Sequence, residues 1–151
     1  MNQNLADLFE KKSKTAGSGV PINWDERRDK YLGAVRDLYC EIETILAEPI
    51  KQNKVSLHRR PKQLTENYIG TYMADDLILI VGDEQVRFSP RGRNIAGAAG
   101  RVDVVGDRAE ATMLLQTDSG WGFVQTRQPT LQIEPLTEST LADILKLVMR
   151  N

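Results

Sequence analysis

Arginine is the residue with most chemistry to offer in this chain, and its spacing is most suggestive in Phe88-Ser89-Pro90-Arg91-Gly92-Arg93-Asn94. Arginines flanking a glycine can aim guanidinium forks and free backbone amides at a phosphate or carboxylate. Arg87, Arg91, Arg93 and Arg101 therefore form a candidate anion or nucleic-acid site, with Arg59, Arg60 and Lys62 as further backbone-phosphate contacts. Residues 54–101 hold eight Lys/Arg against five Asp/Glu, whereas residues 102–151 hold four against seven. That is a mild excess beside the strongly basic surfaces of nucleic-acid domains, and the plain reading of residues 88–94 is a solvated loop.

Catalytic signatures are scarce. The chain has no Walker loop, no G-x-S-x-G elbow, no H-E-x-x-H and no dinucleotide fingerprint opening a helix. His58 is the single histidine, so a multi-histidine metal site is impossible and a Cys-His dyad would need Cys40. Within Leu57-His58-Arg59-Arg60 it reads as an exposed strand residue. Asp75-Asp76, ahead of the apolar residues 77–81, reads as a solvated turn. An enzyme holding a metal on Asp75, Asp76 or Asp103 would leave no sequence signature, so that class stays open, but no catalytic residue, metal ligand or cofactor is assigned. Tyr68, Tyr72, Phe88 and Trp121 offer stacking faces, although aromatics on strands are more often core. Gly97-Ala98-Ala99-Gly100 allows a sharp bend; with no Lys-Ser/Thr behind it and no helix expected there, it is not a phosphate loop.

The elements that must carry these residues are legible from periodicity. From Asn23 to about Glu48, Trp24, Arg28, Tyr31, Val35, Leu38, Ile42 and Ile45 follow 3- and 4-residue steps, predicting a long helix with one apolar stripe. Asn23 caps it with Glu26 three residues on, Pro49 ends it, and Cys40 points away from the stripe toward solvent. The period then changes to short β-prone runs at 55–60, 68–73, 77–81, 85–88, 101–105, 109–116, 121–127 and 130–134, broken by Gly82-Asp83, Gly106-Asp107 and Asp118-Ser119-Gly120. No helix-sized segment separates them, so the expectation is an antiparallel meander of about six to eight strands. Thr137 caps a closing helix whose core face is Leu141, Ile144, Leu145 and Val148. The fold class is α+β, with both helices over the apolar face of one sheet.

At 151 residues, 40% hydrophobic and 27% charged, with net charge -1, the composition is that of a soluble domain able to bury a core without staples. A single cysteine excludes an intrachain disulfide and fits a reducing compartment. No apolar run approaches a membrane span and residues 1–10 lack a secretory core, so the expected location is cytoplasmic, with no membrane partner. Residues 1–20 read as a flexible tail and linker, rich in Lys, Gly and Ser over 11–20, carrying a short amphipathic turn at Leu5, Leu8 and Phe9; residues 21–151 read as one domain.

The combination of Asn23-Trp24-Asp25, Leu38-Tyr39 with Ile42-Glu43, Arg59-Arg60-Pro61, Tyr68-Ile69-Gly70-Thr71-Tyr72 and Gly97 through Arg101-Val102-Asp103 resembles a set of small uncharacterised bacterial cytoplasmic proteins. The resemblance spans roughly residues 23–148 and implies a free-standing bacterial domain, with no activity to carry over. The function expected from the scarcity of catalytic residues is a non-enzymatic protein-binding or assembly module, working through a protein partner or self-association. The alternative is nucleic-acid or phosphate-ligand binding through Arg87, Arg91, Arg93 and Arg101.

Overall fold

Asn23 and Thr137 decide where the two principal helices begin. The computed structural model describes residues 23–92, 99–116, 120–126 and 132–150. Asn23 is extended, and its side-chain oxygen accepts the Glu26 N–H at 3.0 Å, opening helix α1 (Trp24–Ile45) with Asp25 and Glu26 at the positive end of the dipole. Thr137 accepts the Thr140 N–H at 3.1 Å while its own N–H donates to Thr140 Oγ1 at 2.8 Å, a reciprocal cap for helix α3 (Glu138–Val148). The tail and linker expected over residues 1–20 lie outside the described residues.

Pro49 does not end α1 where the sequence suggests. The helix stops at Ile45, and Pro49 sits inside a separate short helix, α2 (Ala47–Lys51). A proline offers no N–H to the carbonyl four residues back and its ring crowds that carbonyl, so the break falls at Ile45–Leu46, a turn upstream of the proline.

Seven strands follow: β1 (Ser56–Glu66), β2 (Gly70–Val81), β3 (Glu84–Gly92), β4 (Gly100–Val105), β5 (Glu110–Gln116), β6 (Gly120–Thr126) and β7 (Gln132–Pro135). They form one antiparallel sheet in the order β1-β2-β3-β4-β5-β6-β7, every neighbour consecutive in the chain. The α+β expectation holds, as does the meander. Several boundaries differ. The runs expected at 68–73 and 77–81 are one strand, β2, which passes straight through Asp75-Asp76. β1 continues past Pro61 to Glu66, and β3 continues through Ser89, Pro90 and Arg91, so residues 88–92 are strand and not loop. Arg93, Asn94 and Gly97 lie outside the described residues, as do Arg127, Thr130 and Leu131 from the last two expected strands.

One sheet face is apolar and carries both helices. The register aligns Leu77, Phe88, Val104 and Ala111 across β2–β5, with Met113 opposite both Val102 and Phe123. Tyr31, Val35, Leu38, Tyr39 and Ile42 of α1 and Leu141, Ile144 and Val148 of α3 join these strand residues in a single buried cluster. Each fully buried large side chain contributes about 1.5–3 kcal/mol of apolar transfer. Two close approaches fix the helices to the sheet. A Cβ at Gly100 would lie 2.6 Å from the Tyr31 ring, and one at Gly106 would lie 2.3 Å from the Val148 carbonyl oxygen, so the chain passes there only as glycine. Of the small residues 97–100, Gly97 and Ala98 lie outside the described residues, and Gly100 makes a close approach to Tyr31. Among the described residues no helix is long and apolar enough to cross a membrane.

Candidate functional site

Pro90 shapes the other face of the sheet. The β2–β3 register closes at Leu77↔Phe88, although both strands run on toward Gly70 and Gly92. The next hydrogen-bonding position would set the Asp75 carbonyl against the N–H of residue 90, and proline has none. The Tyr39 hydroxyl of α1 fills the gap, lying 2.6 Å from Asp75 O and 3.2 Å from Phe88 O. A second tyrosine does the same one strand over. A bulge between Pro90 and Gly92 leaves Arg91 as an extra residue, and there the Tyr31 hydroxyl donates to Arg101 O at 2.7 Å and accepts the Gly92 N–H at 3.0 Å. Burial pushes both phenols well above the ordinary tyrosine range, so both remain neutral donors.

These two anchors hold a band of charge on the polar face. Arg60 pairs across β1–β2 with Asp76, and Ser89 pairs across β3–β4 with Asp103. Asp76 stands one step past Leu77↔Phe88, which brings it opposite Ser89. The carboxylates of Asp76 and Asp103 are each only 7% exposed, and cations surround them. Asp103 is closely bonded: Arg91 Nε donates at 2.9 Å, Arg101 Nε at 2.7 Å and Arg101 Nη2 at 3.3 Å. Asp76 is not. Arg60 Nη2 stands 3.9 Å away, Lys62 Nζ 3.5 Å and Arg87 Nε 3.8 Å, while the Lys62 ammonium donates instead to Ser89 Oγ at 2.5 Å. Asp76 Oδ1 and Arg87 Nε are therefore buried without a hydrogen-bond partner. Burial lowers the Lys62 pKa, Asp76 opposes that shift, and Arg91 and Arg87 add to it.

Of the arginines singled out by sequence, Arg87, Arg91 and Arg101 do converge, joined by Arg60 and Lys62; Arg93 lies outside the described residues. Arg59 does not join them. It turns to the helix face, where Nη2 meets Glu43 at 3.1 Å and the guanidinium lies 5.4 Å from the Tyr39 ring centroid. The solvated turn expected at Asp75-Asp76 is corrected, because β2 carries both acids and Asp76 is buried among cations. Those cations also oppose a metal on Asp76 or Asp103, and among the described residues no three His, Cys, Asp or Glu side chains come together. His58 is an exposed residue of β1 and Cys40 is exposed on α1, as expected. Tyr72, Phe88 and Trp121 are core, whereas Tyr68 is 81% exposed and stacks on Trp24 at 5.3 Å.

Sequence reasoning missed Asp76, Ser89 and Asp103 as members of this site. The signal was the two-residue step: Arg60 with Lys62, Arg87 with Ser89 and Arg91, and Arg101 with Asp103 each share one face of a strand. A shallow hollow of about 280 Å³ adjoins the band, lined by Gln85, Arg87, Val105, Gly106 and Asp107. No family model, curated protein or solved structure matches the chain.

Proposed function

We propose that the protein is a non-enzymatic binding module for a compact oxyanion, a phosphate or phosphomonoester group, taken on the polar sheet face by Arg60, Lys62, Arg87, Arg91 and Arg101. The observation that carries this reading is the incomplete pairing at Asp76, where three cations stand 3.5–3.9 Å from one buried carboxylate, its Oδ1 has no hydrogen-bond partner and Arg87 Nε has no acceptor. Counting Glu66, whose carboxyl group lies against Gly92, beside Asp76 and Asp103, five cations still outnumber three carboxylates on these strands. Asp103 holds the Arg91 and Arg101 guanidinium groups in place before any ligand arrives, which lowers the ordering cost of binding. A compact anion suits a local excess in a chain of net charge -1 better than an extended nucleic acid does. The assembly reading finds less support, since the α1 stripe is buried in the chain's own core and, of the exposed large apolar residues, Tyr68 lies in the β1–β2 turn, Met73 in β2 and Leu147 in α3.

Titrating the intact chain with inorganic phosphate, followed by backbone amide NMR, tests the proposal. Saturable shifts in β1–β4, lost in Arg87→Met, are expected. A short DNA duplex that binds with a steep salt dependence while phosphate does not would transfer the site to nucleic acid, and no phosphate response at any concentration would remove the anion reading.

A further inference from the structure

From the hollow beside Arg87, we propose that the ligand of this face is a phosphorylated polyol, such as a small sugar phosphate, whose phosphate rests on the cation band and whose hydroxyl-bearing body lies over Gln85, Val105, Gly106 and Asp107. This rests on the anion reading and names its ligand class. Arg87 is the shared residue: its Nε reaches toward Asp76 in the band, and its side chain is also a wall of the hollow. The volume, about 280 Å³, accommodates a body the size of a monosaccharide beyond the phosphate. The chemistry of the wall selects that body. Gln85 offers an amide donor and acceptor and Asp107 a carboxylate acceptor, the pairing that hydroxyl groups use, with Val105 as the one aliphatic contact. None of the lining residues is aromatic, whereas sites for nucleobases generally supply a stacking ring.

The hollow is also held in shape before any ligand binds. One wall is the start of β3 after the Asp83 turn, the other the turn after β4, and the end of α3 clamps both. Val148 O accepts the Arg108 N–H at 2.9 Å, the Arg150 N–H donates to Glu84 Oε1 at 2.6 Å, and the Arg150 guanidinium bridges Asp83 at 3.3 Å and Asp107 at 3.2 Å. Preorganised walls on packed elements favour a defined ligand over passing ions.

Calorimetric titration of the full chain with inorganic phosphate, glucose 6-phosphate and free glucose tests the inference. Glucose 6-phosphate should bind roughly tenfold tighter than phosphate, the worth of one or two added hydrogen bonds, and free glucose should not bind measurably. Asp107→Asn should erase most of that tenfold margin, read as the ratio of the glucose 6-phosphate and phosphate affinities of the same variant. Asp83→Asn, which also deprives Arg150 of a partner but does not line the hollow, should preserve it, separating a contact with the polyol from loosening of the clamp. Equal affinity for phosphate and glucose 6-phosphate overturns this inference and leaves the anion site standing. Failure of both to bind overturns the two together.

Discussion

Replacing Tyr39 by Phe isolates what Pro90 does to the sheet. The ring stays buried against Leu38, Ile42 and the strands, so the substitution removes only a hydroxyl that lies 2.6 Å from Asp75 O at a position where the facing residue has no N–H. Deleting a donor to a buried acceptor costs about 2 kcal/mol, counting the lost bond and the desolvated carbonyl left behind. For a chain of this length that lowers Tm by about 4–8 °C. The diagnostic experiment is a double-mutant cycle with Pro90→Ala, read by urea unfolding with circular dichroism. An alanine at 90 supplies the missing ladder N–H, so Tyr39→Phe in that background should cost about 1 kcal/mol or less, a coupling well above the ~0.3–0.5 kcal/mol scatter of independent sites. If Tyr39→Phe costs the same in both backgrounds, the hydroxyl is not standing in for an amide, and the account of why β2 parts from β3 is wrong.

Asp103→Asn removes the carboxylate shared by Arg91 and Arg101; because both arginines reach solvent, stability should fall by only about 1–2 kcal/mol while phosphate binds a few-fold tighter, and weaker binding would contradict the charge reading. Gly106→Ala drives a Cβ to within 2.3 Å of the Val148 carbonyl oxygen and should destabilise by about 1–3 kcal/mol in thermal melts; a neutral result would mean that α3 does not seat as described. Burial depresses the Lys62 pKa in the folded state, so the unfolded chain holds more protons at alkaline pH and this group's contribution to stability rises as pH climbs toward the ordinary lysine value. Lys62→Met should flatten that alkaline rise in the stability-pH curve, and identical curves would refute it. Cys40, exposed on α1, should react with a thiol-specific dye in the native protein at nearly its unfolded rate.

The helices were largely legible because caps and 3.6-residue periodicity act locally: Asn23 and Thr137 close the same hydrogen bonds that their side chains promise. The long strands were not, and the reason lies in Asp75-Asp76, Pro61 and Pro90. Taken singly, adjacent acids and prolines are turn formers. Here Pro61 lies in the outer strand, where a missing donor faces the sheet edge, Pro90 is relieved by a tyrosine 51 positions upstream in α1, and Asp76 is tolerated in a strand because β1 and β3 bring cations to it. Each compensation depends on where the strand sits in the sheet or on a contact between residues distant in sequence, beyond the reach of any local window. The arginines could be grouped by their two-residue spacing, but the carboxylates beneath them become visible only once the strands lie side by side, with Ser89 paired to Asp103 and Asp76 one step past the last β2–β3 pair.

The interruption at Pro90 also sets where the molecule yields first. Beyond Leu77 the β1–β2 hairpin is joined to the rest of the sheet by side chains, through the Tyr39 hydroxyl and the Lys62–Ser89 bond, instead of by a continuous amide ladder. That makes the distal half of the hairpin a cooperative unit of its own, able to lift from β3 without unravelling β4–β6. Native-state hydrogen exchange should resolve it as a sub-global opening: amides of residues 62–74 exchange together at a lower free energy than those of β4 and β5. Since Lys62 reaches across that seam to Ser89, an anion that bridges Arg60 and Lys62 of β1 to Arg91 of β3 would slow exchange across the whole distal hairpin.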